Sequence, residues 1–176
     1  MLVLGIDPGY DRLGVAIIKK DSGKEEYIFS DCFLSDKKDS LGDRLLDIGD
    51  RLEKLIKDRK PDFVATEKLY FTVNQKTAMA VAEARGVISY LSAKHKIPLF
   101  EYTPPEIKLT VTGYGNANKK QVAEMVPRLL KISKEVKYDD EYDAIAIALT
   151  HLAMGGINYP QTSRQKVAKK YRYVKK

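Results

Sequence analysis

A single cysteine, Cys32, serves the whole 176-residue chain, so no internal disulfide can form and no cysteine cluster can hold zinc. Histidine is almost as scarce. His95 and His151 are the only two, and neither stands in an obvious serine or cysteine arrangement that would make a nucleophile and base pair. Both read as structural, and Cys32, inside an expected strand, reads as a small core residue rather than a nucleophile. Long apolar runs are also missing. The opening run, Met1 to Ile6, is stopped by Asp7 and has no basic residue ahead of it, so it is neither a signal peptide nor a membrane span, and a cytoplasmic location is expected. There is no internal repeat and no low-complexity linker. What remains, 44% hydrophobic and 31% charged residues, fits one compact domain stabilised by packing and excludes global disorder, collagen and coiled coil.

Acids are absent from residues 161–176, which carry seven Lys or Arg and so account for the whole formal charge of +7. The body is neutral. We expect a domain over residues 1–157 and a basic tail over 158–176. Within the body, Arg85 to Lys137 holds ten basic residues against four acids, a second and more diffuse basic face. A phosphate-rich partner is one reading of this charge, and solubility is the other.

Leu2 to Ile6 reads as a strand buried on both faces, Gly14 to Ile18 as a second and Tyr27 to Leu34 as a third, linked by short turns and therefore antiparallel. Leu41, Leu45, Ile48, Leu52 and Leu55 recur at helical spacing up to the break at Lys60 and Pro61. Phe63 to Thr66 is a fourth strand, residues 75–94 a helix, and Pro98 to Tyr102 a fifth strand. Further helices are expected from Pro104, from Asn118 with a kink or restart at Pro127, and from about Asp140 to Met154. This order describes an α/β fold whose five-stranded sheet has three antiparallel strands followed by two added through crossovers. The segment Thr110 to Asn118, with Gly113 and Gly115, is the candidate mobile element beside a site.

The chemistry lies in carboxylates. Asp7 closes the first strand at the turn into Pro8 and Gly9, the edge at which open α/β sheets bind ligands, although an Asp there can simply cap a turn. Glu67 closes the fourth strand in the same way. If the two strands are neighbours, the acids sit side by side, and such a pair stays ionised only with a cation to neutralise it. Asp140 and Asp143, three apart, share one face of the last helix, whereas Asp139 and Glu141 beside them also suit a helix start that complements the dipole. Clustered carboxylates without His or Cys select hard cations, and with a phosphate ligand they select magnesium or manganese. Two such ions ~3.5 to 4 Å apart would activate a water and stabilise the leaving oxygen of a phosphodiester.

An ordered series of segments carries a resemblance: GIDPG at 5–9, EKLYF at 67–71, AEARG at 82–86, FEYTP at 100–104, IKLTVTGYG at 107–115, KKQVAEMV at 119–126 and DDEYDAIAIALTH at 139–151. Through these the chain, from about Leu2 to Leu152, resembles the RuvC family, the bacterial Holliday junction resolvases of the RNase H-like superfamily. The resemblance implies an RNase H-like sheet flanked by helices and a homodimeric, magnesium-dependent endodeoxyribonuclease. Such an enzyme nicks two opposed strands of a four-way DNA junction during recombination and repair, with RuvA and RuvB as branch-migrating partners. It implies metal ligands at Asp7, Glu67, Asp140 and Asp143, and basic residues on the DNA backbone at Lys108 and Lys119. It also implies an aromatic against an unstacked base at Tyr70, with Phe71 beside it as the other candidate. The family usually has a small hydroxyl residue after DPG, where this chain has Tyr10. Competing readings are a YqgF-type RNase H-like nuclease, a sugar kinase or actin ATPase fold, and a non-catalytic junction binder. The first lacks the long helix through AEARG, the second needs two domains with a phosphate loop in each, and the third does not need four intact acids.

Overall fold

The structure is a computed structural model and describes residues 1–68, 75–132 and 134–154. Five strands, β1 (Leu2–Asp7), β2 (Arg12–Asp21), β3 (Lys24–Leu34), β4 (Phe63–Glu67) and β5 (Leu99–Tyr102), form one sheet in the order β3-β2-β1-β4-β5. β1 pairs antiparallel with β2, and β2 with β3, while β4 and β5 join as parallel strands. A three-strand meander needs only turns, but the parallel strands need crossovers, and these are helices. α1 (Leu41–Arg59) leads from β3 to β4, and α2 (Gln75–Lys94) leads from β4 to β5. This is the mixed five-stranded sheet expected from the order of apolar segments.

β1 and β2 alternate between two cores with the period of a strand. Leu4, Ile6, Val15 and Ile17 face α1 and α2, whereas Val3, Ala16 and Ile18 face the other side. That other side is covered by α3 (Pro104–Thr112), α4 (Lys119–Leu129) and α5 (Asp139–Met154). Ser40 caps α1, its side chain accepting from the Asp43 backbone N–H, and the helix ends with Lys60 in the left-handed region at φ 50°, just before Pro61. Pro127 neither divides nor restarts α4. It is the third residue from the end of the helix, so less than one turn follows it. The expected glycine loop is shorter than its sequence indicates, because Thr110 to Thr112 belong to α3 and Gly113, at φ 76°, caps that helix.

α5 runs straight over the middle of the sheet. From Ala144 to Leu152 every residue is buried, which explains a helix with almost no polar face. Two glycines let it approach. A Cβ on Gly5 would lie 2.2 Å from the Ala144 carbonyl oxygen, and one on Gly14 would lie 2.0 Å from that of Asp140. Without side chains on β1 and β2 at these points, the helix backbone rests on the strands themselves.

Among the described residues no helix is long and apolar enough to cross a membrane. Tyr70, Phe71 and residues 155–176, hence the basic tail, lie outside the described residues.

Candidate active site

Parallel pairing of β1 with β4 sets Ile6 opposite Thr66, so the next residues along, Asp7 and Glu67, end adjacent strands at the same edge. On its other side Asp7 pairs with Gly14, and Gly14 is the floor under the Asp140 backbone. Three chain segments far apart in sequence thus deliver their acids to one edge of the sheet. Asp143, one helical turn beyond Asp140, faces the same edge.

The electrostatics record how closely they gather. Burial lifts the Asp7 carboxyl, and the negative charges of Asp143, Glu67 and Asp140 lift it further, to about 8. Glu67 is raised by burial and then by Asp143, and Asp143 by burial and then by Asp140, with the Lys119 hydrogen bond working against the rise. Near neutral pH, Asp7 in the metal-free protein therefore holds its proton, the response of an acid packed among others with too little positive charge to balance them.

The donor set, four carboxylates without His or Cys, suits a hard divalent cation. As the side chains stand, no three His, Cys, Asp or Glu among the described residues are close enough together to grip one. Asp140 Oδ2 is 3.4 Å from Arg12 Nε, and Asp143 Oδ2 is 2.9 Å from Lys119 Nζ. Lys119 is the first residue of α4, whose cap is a reciprocal box in which Asn118 and Gln121 bond each other's backbone N–H. Lys108 on α3 acts on the same group of acids, its charge lowering Glu67.

Asp139 and Glu141 part company with Asp140. Successive residues of a helix point about 100° apart, so three acids in a row cannot share a target. Asp139 is mostly exposed, and its carboxylate approaches Lys119 only at 3.9 Å. Glu141 turns away from the sheet edge into the interior, where it accepts from Ser30 Oγ at 2.7 Å and Lys134 Nζ at 2.6 Å. Those bonds outweigh its burial and hold its carboxyl below the usual range.

Several contributors escaped the sequence reading. Arg85 from α2 bonds both the Glu67 carbonyl and the Glu101 carboxylate, tying the end of β4 to β5. Arg44, buried in the first turn of α1, pairs with Asp11 and bonds the Tyr10 carbonyl, with its guanidinium 4.9 Å from the centre of the Tyr10 ring. Tyr10, which follows the DPG turn, is thus held by a stacked arginine. The signal was faint, since nothing local links Arg44 to a turn 34 residues away.

The groups expected to be structural are so. Burial, and then the charge of Asp140, pushes the Cys32 thiol up to about 12, so it stays protonated beside Asp140, its Sγ 4.0 Å from Oδ2. His95 Nε2 meets Glu53 Oε1 at 2.7 Å, far from the acids in the fold. His151 is buried between Phe63 and Phe100, with its Nδ1 2.8 Å from the Tyr102 hydroxyl.

Comparison with known proteins agrees with this geometry. The profile of the family described as Crossover junction endodeoxyribonuclease RuvC matches residues 3–151. The chain is 46% identical to the Crossover junction endodeoxyribonuclease RuvC of Petrotoga mobilis over 151 residues, covering 86% of this chain and 93% of that one. It is 40% identical to that of Thermotoga petrophila, with 86% and 92% covered. The Thermus thermophilus RuvC structure superposes with a TM-score of 0.79 at 28% identity, covering 89% of this chain and 96% of that one. RuvC from T. thermophilus in complex with a Holliday junction substrate has the same fold, with a TM-score of 0.80 at 24% identity over 90% of this chain and 97% of that one. With four acids brought to one sheet edge by the pairing that this fold imposes, the chain belongs to the RuvC family of crossover junction endodeoxyribonucleases.

Proposed function

We propose that this chain resolves four-way DNA junctions as a structure-selective endonuclease, by metal-dependent nicking of two opposed strands during recombination and repair. The observation that carries the reading is the convergence of Asp7, Glu67, Asp140 and Asp143 at one sheet edge, set by the pairing of β1 with β4 and β2 and by the seat of α5 on Gly14.

Asp7, Glu67, Asp140 and Asp143 would hold the metal. Bound divalent ions, magnesium or manganese and two to a site, supply the polarisation of a water and the charge that stabilises the leaving oxygen of the cut phosphodiester. The protein's own residues prepare the site for this. Asp7 and Glu67 are fixed by paired strands rather than loops, so their separation does not drift. α5, seated on Gly5 and Gly14, holds Asp140 and Asp143 against them. Lys108 and Lys119 supply positive charge beside the acids, where a DNA backbone has to approach.

Each chain supplies one such set, and two cuts in strands of like polarity need two. An isologous homodimer matches the two-fold symmetry of a four-way junction. Tyr70 or Phe71, three and four residues after Glu67, stacks on an unpaired base near the crossover, a contact worth roughly 1 to 3 kcal/mol. The basic residues of 158–176, beyond the domain of 1–157, add affinity for every DNA form alike because their charge carries no shape information. RuvA and RuvB are the partners that move the branch, and the cytoplasm is where the protein acts.

The test is the full chain with magnesium, a synthetic four-way junction and a linear duplex of matched sequence. Paired nicks confined to the junction are expected, and equal cutting of both substrates would refute the reading. Mixed dimers of wild-type and Asp7→Asn chains should nick one strand only.

A further inference from the structure

The acids that converge on the sheet edge are not equally placed. Asp7 and Glu67 belong to the sheet, whereas each of the two on α5 is already engaged by a cation from another element. Arg12, the first residue of β2, holds Asp140 Oδ2 at 3.4 Å from its Nε, and Lys119, the first residue of α4, holds Asp143 Oδ2 at 2.9 Å from its Nζ. With both bonds in place no three acids of the described residues stand close enough to grip a metal. The side chains of Arg12 and Lys119 are 52% and 59% exposed, so each can leave its carboxylate for solvent or for a ligand without opening the core.

Resting on the metal-site reading above, we infer that Arg12 and Lys119 are resident counter-ions of the site, which release Asp140 and Asp143 to the incoming divalent cation and turn to the DNA phosphate. In the exchange each carboxylate that loses one cation gains another, and each freed side chain gains a phosphate. In the free protein the two side chains compensate part of the acid cluster and compete with metal for it. When metal and DNA arrive together, the metal takes the carboxylates and the phosphate takes the freed guanidinium and ammonium, which suit it by charge and, for Arg12, by a planar array of donors. Metal and DNA then bind with positive coupling, and linkage makes that coupling reciprocal. Arg12 is on this account a positioning residue for Asp140 before metal binds and a phosphate contact afterwards.

The two roles predict opposite signs for one substitution, which a merely structural arginine cannot produce. In Arg12→Gln the DNA-free protein should bind Mn2+, followed by electron paramagnetic resonance, about fivefold more tightly than wild type, the scale of a half-exposed ion pair. Junction binding is then measured against salt, in Ca2+ and in a chelator. With Ca2+ the variant should lose about one unit of salt slope, the loss of one phosphate contact, and with the chelator it should lose none. Arg12→Lys should restore the slope. Unchanged or weaker Mn2+ binding in Arg12→Gln, or an equal loss of slope with and without Ca2+, overturns the inference. Asp140→Asn separates the two levels of the argument. It should weaken Mn2+ binding, and if it does so while Arg12→Gln behaves as wild type, the metal site stands and only the counter-ion role falls. Equal Mn2+ binding by Asp140→Asn and wild type would overturn both.

Discussion

α5 carries titratable groups at both ends, partly buried at one and buried at the other, and the two ends treat them in opposite ways. At the N-terminal end Asp140 and Asp143 crowd Asp7 and Glu67, so that burial and like charge together push Asp7 up to about 8. At the C-terminal end His151 sits among Phe63, Phe100 and Tyr102, and burial alone holds its imidazole down to about 4, so it stays neutral. Its Nε2 has no hydrogen-bond partner among the described residues, a modest cost in a well-packed aromatic nest. One end therefore stores repulsion that a ligand can relieve, and the other removes charge altogether. The helix body between them, Ala144 to Thr150, is the fully buried spacer that separates the two.

The largest effects are expected at the acidic end. Asp7→Asn should lower junction cleavage beyond the roughly 10- to 100-fold that a supporting residue is worth, while binding persists or tightens through reduced repulsion of phosphate. The same variant should raise the Tm of the metal-free protein at pH 8. In the wild type the folded state favours the protonated acid, so the stability this group contributes is complete below its unfolded value near 4 and is lost as pH rises through about 8. Glu67→Gln should abolish cleavage in the same way.

Next in size is the spacer. Gly5→Ala puts a Cβ 2.2 Å from the Ala144 carbonyl oxygen and must lift α5 off β1, at a cost of about 3 kcal/mol. Because the acids ride on the same helix, cleavage should fall by more than the loss of folded protein explains, read by activity per folded molecule.

A smaller effect is expected at the turn that leads into the helix. Lys134→Met leaves the buried Glu141 carboxylate with Ser30 and the Lys137 backbone N–H but without its cation. We expect about 2 kcal/mol in denaturant unfolding, less than the roughly 3–5 of a fully buried pair because the Lys134 side chain is 39% exposed.

The neutral end sharpens the contrast through pH. His151 is lowered on folding, so the unfolded chain takes up its proton first, and the stability this group contributes falls as pH drops from about 6.5 to about 4. Asp7 contributes the opposite slope from about pH 4 to about 8, so His151→Gln should remove the opposing contribution and make stability rise more steeply than in wild type as pH falls from about 6.5 to about 4. Smallest of all is Asp139→Asn. With its carboxylate exposed and 3.9 Å from Lys119, it should change cleavage by less than about twofold, a sharp difference from its neighbour Asp140.

Much of this was written in the order of residues. Apolar runs ending in Asp7 and Glu67, turns between the first three strands and a helical stripe from Leu41 onward led to a mixed sheet with acids at its edge. Strand and helix periods are local properties, and short links leave few topologies open. Spacing alone also paired Asp140 with Asp143 on one helical face, but it left Asp139 and Glu141 beside them as open candidates. The direction in which that pair faced was not local. Asp139, Asp140 and Glu141 differ by rotation about one axis, and only the seat of α5 on Gly5 and Gly14 decides which of them meets Asp7 and which meets Ser30 and Lys134. The cations were decided at the same level. Arg12 and Lys119 reach the acids because β2 and α4 both begin at the edge where β1 and β4 end, a meeting of chain segments more than 100 residues apart that no local pattern encodes.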